Sequence, residues 1–362
     1  MASRFAASVG AVVALALAVG SAVAAAPEGP RLAFVRFHTS PLRLEVGTVD
    51  ETGALPLRLA GGGLHGGPLP LPFDAPSWSS DGSLLAFSAF VRLPTGRHQA
   101  QSSIFVVGAD GSGLREVAGT GGGVGPVLAP DGHTMAFARR RERRRPNAHG
   151  GETEVFSSTS VWLVNINGGS ARQITGWRNR LDNAPTSFSP DGSTLALARQ
   201  KGRHADSELV AYRMDGSGTT VLSRNATDGV YSPDGSAIAF LGGLRDRVYR
   251  HRSKGEASVE VETTSDLYRM NSDGSGVRRL LKTPNTEVWP SWDPSGQRLA
   301  YVQFAGPGSE AAFFGFGDAI MEINADGTCR TKVLSEKSTA YFGPAWQPGL
   351  GREAGGIACA AG

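Results

Sequence analysis

A short phrase that recurs along the chain limits what it can fold into more than any other feature. Its clearest copy runs from Phe188 to Leu197: Phe-Ser-Pro-Asp-Gly-Ser-Thr-Leu-Ala-Leu. Pro190 presets φ at the second position of a tight turn, Asp191 bonds back to the backbone, and Gly192 takes the position that needs φ > 0. An aromatic precedes the turn and an alternating apolar triplet follows it, so the phrase predicts two antiparallel strands joined by a hairpin. It returns at Trp78 to Phe87, Leu128 to Phe137, Tyr231 to Phe240 and Trp292 to Tyr301. A further copy is cut in two: Trp346-Gln-Pro-Gly349 stands near the C-terminus, and Leu32-Ala-Phe-Val35, a triplet with no turn before it, stands near the N-terminus.

A second phrase alternates with the first, an apolar strand, a glycine turn and a short strand. Its copies are Leu44 to Leu59, Ile104 to Val117, Val161 to Ile174, Leu209 to Leu222, Leu267 to Leu281 and Ile320 to Leu334. Two hairpins per unit make four strands per unit, and a ring of such units leaves no sheet edge open. The expected fold is all-β: a six-bladed β-propeller of four antiparallel strands per blade. Its last blade joins a C-terminal strand around residue 346 to N-terminal strands within 31–59.

The aromatic-Ser-Pro-Asp-Gly, Leu-Ala-Phe, Asp-Gly-Ser-Gly cadence resembles the TolB-like, WD-related propeller repeat of exported bacterial proteins, over essentially all of residues 31–349. The resemblance implies a binding scaffold that contacts other proteins, with no chemistry in the repeat itself; fold alone does not give function. Three units depart from the pattern. The first lacks the proline, the second has Leu128 for the aromatic, and the fifth has Ser295 for aspartate. These departures are expected to loosen single turns and leave the fold intact.

Residues 1–25 read as a secretory signal: Arg4, an uncharged Ala/Val/Leu run, and small residues ahead of Pro27. The competing reading is a retained anchor, since about 20 apolar residues suffice to span. Residues 27–349 form one propeller domain, and 350–362 a tail. The expected compartment is outside the cytoplasm, periplasmic or extracellular. There an isolated pair, Cys329 and Cys359, favours one disulfide. A formal net charge of +3 gives no global argument for nucleic acid, and a monomer without cofactor is expected.

The Asp-Gly hairpins share one rim of such a ring, and the long insertions, residues 139–160, 242–265 and 303–318, share the other. Loops on a rigid ring are where binding surfaces vary. That rim carries Arg139, Arg140, Arg141, Arg143, Arg144 and Arg145, and in a second insertion Arg245, Arg247, Arg250, Arg252 and Lys254. They read either as a basic patch for an acidic partner, a protein or an anionic glycan, or as strands prolonged beyond the ring and paired with Glu152, Glu154, Glu260 and Glu262. His38, His98, His149, His204 and His251 fall on the same rim without metal-ligand spacing, so no metal site is assigned. Asp74, Asp228 and Glu287 precede inner strands and are expected to ring the channel mouth, as a cation site or as turn caps. The aromatics Trp78, Phe188, Tyr231, Trp292 and Trp346 share one register, suited to stacking on a sugar or, more commonly, to inter-blade core.

No nucleophile elbow, P-loop or paired-cysteine motif is present, and no catalytic residue is assigned. Two functions compete. One is an exported interaction module that engages an envelope or extracellular protein through the long-loop rim. The other is a sugar binder or lyase-type propeller that acts on an anionic polysaccharide through channel-mouth acids, histidines and arginines.

Overall fold

The computed structural model describes residues 31–39, 42–50, 57–63, 71–92, 100–145, 154–177, 181–201, 207–253, 256–304, 317–349 and 356–359. The expected signal sequence lies outside them. No helix among them is long and apolar enough to cross a membrane. They form twenty-four strands and no regular helix.

The two chain ends meet in one sheet. It is ordered β24 (Thr339–Trp346), β1 (Leu32–Thr39), β2 (Leu42–Val49), β3 (Leu57–Gly63), with Leu32 opposite Trp346. Three further four-stranded sheets follow the chain in order: β4 (Leu71–Trp78) to β7 (Arg115–Glu116), β16 (Ala226–Tyr231) to β19 (Arg278–Arg279), and β20 (Thr286–Trp292) to β23 (Thr331–Leu334). The remaining strands make one eight-stranded sheet. Its halves are β8 (Gly123–Leu128) to β11 (Arg172–Gln173) and β12 (Leu181–Phe188) to β15 (Thr219–Arg224). A single parallel pairing, Thr159 with Asp182, joins the halves. They nevertheless pack face to face, because Ala136, Val161 and Leu163 of one bury against Leu195, Leu197 and Val210 of the other. The assembly is a β-propeller, with its core between successive blades.

The repeated turn closes its own hydrogen bonds, which is why the phrase is so uniform. Ser189 Oγ donates to Asp191 Oδ1 at 2.6 Å and accepts Thr194 N at 3.0 Å, while Asp191 also accepts Ser193 N at 3.0 Å. Gly192 sits at φ +70°. Ser79 with Asp81, and Ser232 with Asp234, repeat this set. The fifth turn keeps it by exchanging the two residues. Ser295 Oγ donates to Asp293 Oδ2 at 2.6 Å, and Asp293 Oδ1 accepts Arg298 N at 2.8 Å. The loosening expected there does not occur, since the carboxylate and hydroxyl have traded places. The first turn, which lacks proline, instead ties Ser80 Oγ to the neighbouring turn at Pro130 O, 3.1 Å away.

Each inner strand is irregular at one level. The register slips between Phe73 and Ser77, Val124 and Val127, Pro185 and Ser187, Thr227 and Val230, and Val288 and Ser291. Pro76, Pro126, Pro185, Pro290 and Pro344 lie in or beside these bulges. A proline supplies no N–H, so it suits an edge that faces a channel and needs no further strand. Four of the five register aromatics pack between neighbouring blades, while Tyr231 is only half-buried. Trp78 Nε1 donates to Ala345 O and Trp292 Nε1 to Val230 O, each at 3.0 Å, and Trp78, Phe188, Trp292 and Trp346 are buried.

The insertions at 139–160 and 242–265 are largely strand. β9 (Thr134–Arg145) pairs with β10 (Glu154–Asn165), and β17 (Ala237–Ser253) with β18 (Glu256–Asn271), so two ribbons prolong their blades. Most of the third insertion, residues 305–316, lies outside the described residues.

Candidate binding surfaces

The bulges of the inner strands line a central cavity of about 600 Å³. Its walls carry Pro76, Pro126, Pro290 and Pro344, the rings of Trp289 and Tyr231, and two carboxylates, Asp74 and Asp228. Both aspartates stand at bulge positions with φ of +75° and +49°, a conformation aspartate tolerates better than most residues. Asp74 accepts the N–H of Ala75 at 2.9 Å, and burial raises its carboxyl above the usual range. Burial pushes Asp228 up to about 6, with the charge of Asp74 adding to the effect. Among the described residues the lining holds no histidine, lysine or arginine.

Glu287, expected beside these acids, is placed elsewhere. It is fully buried, takes a hydrogen bond from Thr283 Oγ1, and its backbone carbonyl accepts the Ser265 hydroxyl of the adjacent blade. Burial pushes its carboxyl up to about 7, with Asp266 contributing. The spacing to the register aromatic explains the difference. Asp74 stands four residues before Trp78 and Asp228 three before Tyr231, within the bulge, whereas Glu287 stands five before Trp292, ahead of it. Trp289, at φ +53° and packed on Phe342 with centroids 5.6 Å apart, is the cavity residue missed in that strand. An aromatic directly before a bulge proline was the available signal.

The arginines divide by position. Arg139 lies half-buried at the foot of its ribbon, its guanidinium 4.6 Å from the Trp162 ring centroid and 5.1 Å from that of Phe137, donating to Gly119 O. Arg141 is exposed and lies 5.9 Å from the Trp177 centroid. Cross-strand register puts Arg139, Arg141, Arg143 and Arg145 on one ribbon face, opposite Ser160, Ser158, Phe156 and Glu154. Arg140 and Arg144 fall on the other face, opposite Thr159 and Val155. In the second ribbon Arg245 pairs with Asp266 at 2.9 Å, and Arg279 reaches the same oxygen at 3.4 Å. Arg247 stands opposite Glu262, and Arg250 and Arg252 stand opposite Val259 and Ala257. The side chains of Arg143, Arg144, Arg145, Arg247, Arg250 and Arg252 lie outside the described residues, as do His98, His149, His204 and Lys254.

His38 sits in β1, 3.3 Å from Glu45. No group of three metal-ligating side chains forms among the described residues. Cys329 and Cys359 are placed as a disulfide-compatible pair with Cα atoms 4.6 Å apart. Asn324 supports the same approach, exchanging two hydrogen bonds with the backbone of Ile357.

Blades arranged around a channel, the last closed by strands from both ends of the chain, define the molecule as a β-propeller. Comparison with known proteins narrows the class. The Tol-Pal system protein TolB of Anaeromyxobacter dehalogenans (strain 2CP-C) is 38% identical over 106 residues, which is 28% of this chain and 20% of that protein. A crystal structure of TolB from Acinetobacter baumannii superposes with a TM-score of 0.62 at 18% identity, covering 88% of this chain and 67% of that one. Kuenenia stuttgartiensis hydrazine synthase gives a TM-score of 0.55 at 12% identity, covering 89% of this chain and 47% of that one, a likeness of fold alone. No protein-family model matches the chain. The chain is a TolB-like β-propeller; its match spans about a fifth of the length of the curated TolB relatives.

Proposed function

We propose that this chain is an exported, non-catalytic binding scaffold, monomeric and held closed by a Cys329–Cys359 disulfide. Counting the eight-stranded sheet as two blades makes a ring of six. The ring engages an acidic protein of the envelope or extracellular space through the rim that bears the two arginine ribbons. The observation that carries this reading is the β9–β10 ribbon, on which four arginines share one face with a single glutamate opposite them. Such a surplus steers an acidic partner and speeds its encounter. The relatives named as Tol-Pal system protein TolB support a binding scaffold without identifying the partner.

The lyase reading finds less support. An anionic polysaccharide would meet two carboxylates in the central cavity and no cation among the described lining residues, so the channel repels the substrate it would have to bind.

The test is a pull-down from envelope extract with the wild type and a variant carrying Arg141→Gln, Arg143→Gln, Arg144→Gln and Arg145→Gln. Arg139 is retained because it packs on Trp162. The variant is expected to keep its unfolding midpoint within the roughly 0.5 kcal/mol typical of surface changes and to lose a protein that the wild type captures. Equal recovery of every captured protein would remove the arginine ribbon from the reading.

A further inference from the structure

The closing blade carries a second concentration of positive charge, apart from the ribbons. The register places Arg36 of β1 opposite Glu45 of β2, His38 opposite Arg43, and Arg58 of β3 opposite Gly47, so these side chains share one sheet face. Along β1 that is the face on which Leu32 and Phe34 pack against Ala300 and Val302 of the preceding blade. Glu45 is the hub, its side chain only 1% exposed. Arg36 Nε and His38 Nε2 approach its Oε1, the latter at 3.3 Å. Arg43 Nε at 3.3 Å and Arg58 Nε at 3.5 Å approach its Oε2. Burial alone would raise this carboxyl; the charge and hydrogen bond of Arg36, with His38 and Arg43, hold it below the usual range.

Three guanidinium groups converge on one buried carboxylate. Among the described residues Glu336 also approaches, 3.8 Å from Arg36. Counted over the described residues, one positive charge of this group has no acidic partner even with His38 neutral. The arginines are not equivalent. Arg36, 15% exposed, neutralises Glu45 from within, while Arg43 and Arg58 are 39% and 47% exposed. Both of the latter approach Glu45 Oε2 by Nε without a hydrogen bond to it, since neither Arg43 Nε nor Glu45 Oε2 has a hydrogen-bond partner among the described residues. Arg58 gives one Nη to Gly61 O, and among the described residues Arg43 Nη has no protein acceptor. Two half-exposed guanidinium groups gathered at a shared buried carboxylate offer several N–H donors to a tetrahedral oxyanion. If Glu45 needed only neutralising, Arg36 would suffice, and two more like charges at the same oxygen pair add repulsion.

We infer that Arg43 and Arg58, gathered at Glu45, form a binding site for a phosphate-type oxyanion, either free or carried on a lipid headgroup. The full chain is titrated calorimetrically with inorganic phosphate at constant ionic strength, beside Arg43→Gln/Arg58→Gln and the charge control Arg224→Gln. Arg224 is an exposed arginine on another blade, paired with Glu208. The expected result is saturable binding to one site, weakened about tenfold or more in the double variant and unchanged in the control. Should the double variant fold poorly by circular dichroism, Arg43→Gln alone is read instead, with a loss of about threefold. Co-sedimentation with phosphatidylcholine vesicles, with and without phosphatidylglycerol, separates the sources. Retention that needs the anionic lipid and fails in the double variant identifies a headgroup; phosphate binding without such retention identifies the free anion. The inference is overturned if the wild type binds neither probe, if the double variant binds like the wild type, or if the control loses as much affinity as the double variant.

Discussion

The two rims of the ring are built on opposite principles. On the hairpin rim nearly every connection is the same short turn satisfied by its own side chains. Asp81, Asp191 and Asp234 are held below the usual carboxylate range chiefly by Ser79, Ser189 and Ser232. Asp110, Asp215, Asp273 and Asp326 each accept the N–H two residues on. Adjacent turns also touch, as where Gln347 Nε2 donates to Gly82 O at 2.7 Å. On the opposite rim the strands that lead to the connections differ in length: β1 and β2 have 8 residues each, while β17 and β18 climb as a ribbon of strands 17 and 16 residues long. Repetition marks where the chain satisfies itself. Variation marks where the arginine-rich ribbons stand.

The largest expected effect tests whether the repeated rim alone closes the ring. Trp346 is buried, pairs with Leu32, packs with Phe34 and Ala300, and supports the Arg298 guanidinium 5.4 Å from its ring centroid. Trp346→Ala should cost about 3–5 kcal/mol in urea unfolding. Tyr231→Ala, at the same repeat position but only partly buried, should cost about half as much. Equal losses would mean that the seam between the chain ends is no more demanding than any other blade.

That seam was legible because a split copy of a repeat has one plausible reunion, and Leu32 does face Trp346. The ribbons were legible too, since Arg247 and Glu262, and Arg145 and Glu154, follow from extending a hairpin register already fixed by its apolar triplets. The acids were not. Whether a polar residue in an inner strand faces the channel or the next blade depends on the bulge, and a bulge reverses the alternation that strand reading relies on. Glu287 was misplaced for that reason. Glu45 was missed because its partners come from three strands, and no spacing within β2 announces Arg36 or Arg58.

The channel between the rims gives a second test, of intermediate size. Asp228 stands where other inner strands carry Ala75, Gly125, Pro185, Trp289 or Gly343. Its folded pKa of about 6 lies above the ordinary 3.8. The folded chain therefore binds this proton more tightly than the unfolded chain does. The favourable contribution is complete below about pH 4 and disappears as pH rises through 6. Asp228→Asn removes that dependence. It should stabilise the protein by roughly 3 kcal/mol at pH 8 and leave it nearly unchanged at pH 4, as read from thermal unfolding at the two pH values. A gain that does not vary with pH would show that the carboxylate is not strained in the channel.

The smallest effect bears on the repeated rim itself and asks whether the exchanged turn is a true equivalent of the others. Asp293→Ser removes the acceptor of Ser295 Oγ and Arg298 N and a carboxylate beside the buried Arg298, leaving among the described residues Glu322 at 3.4 Å. It should cost about 2 kcal/mol. Adding Ser295→Asp restores the arrangement seen at Ser189 and Asp191, and the double variant should recover at least half of that loss, the residue being the Arg298 contact that the standard turn never makes. The coupling energy from the double-mutant cycle is the discriminating quantity. A value near zero would mean that the fifth turn is held by Arg298 and Glu322 and only resembles its neighbours. A value of about 1 kcal/mol would mean that the turn tolerates its carboxylate at either position, provided a hydroxyl occupies the other.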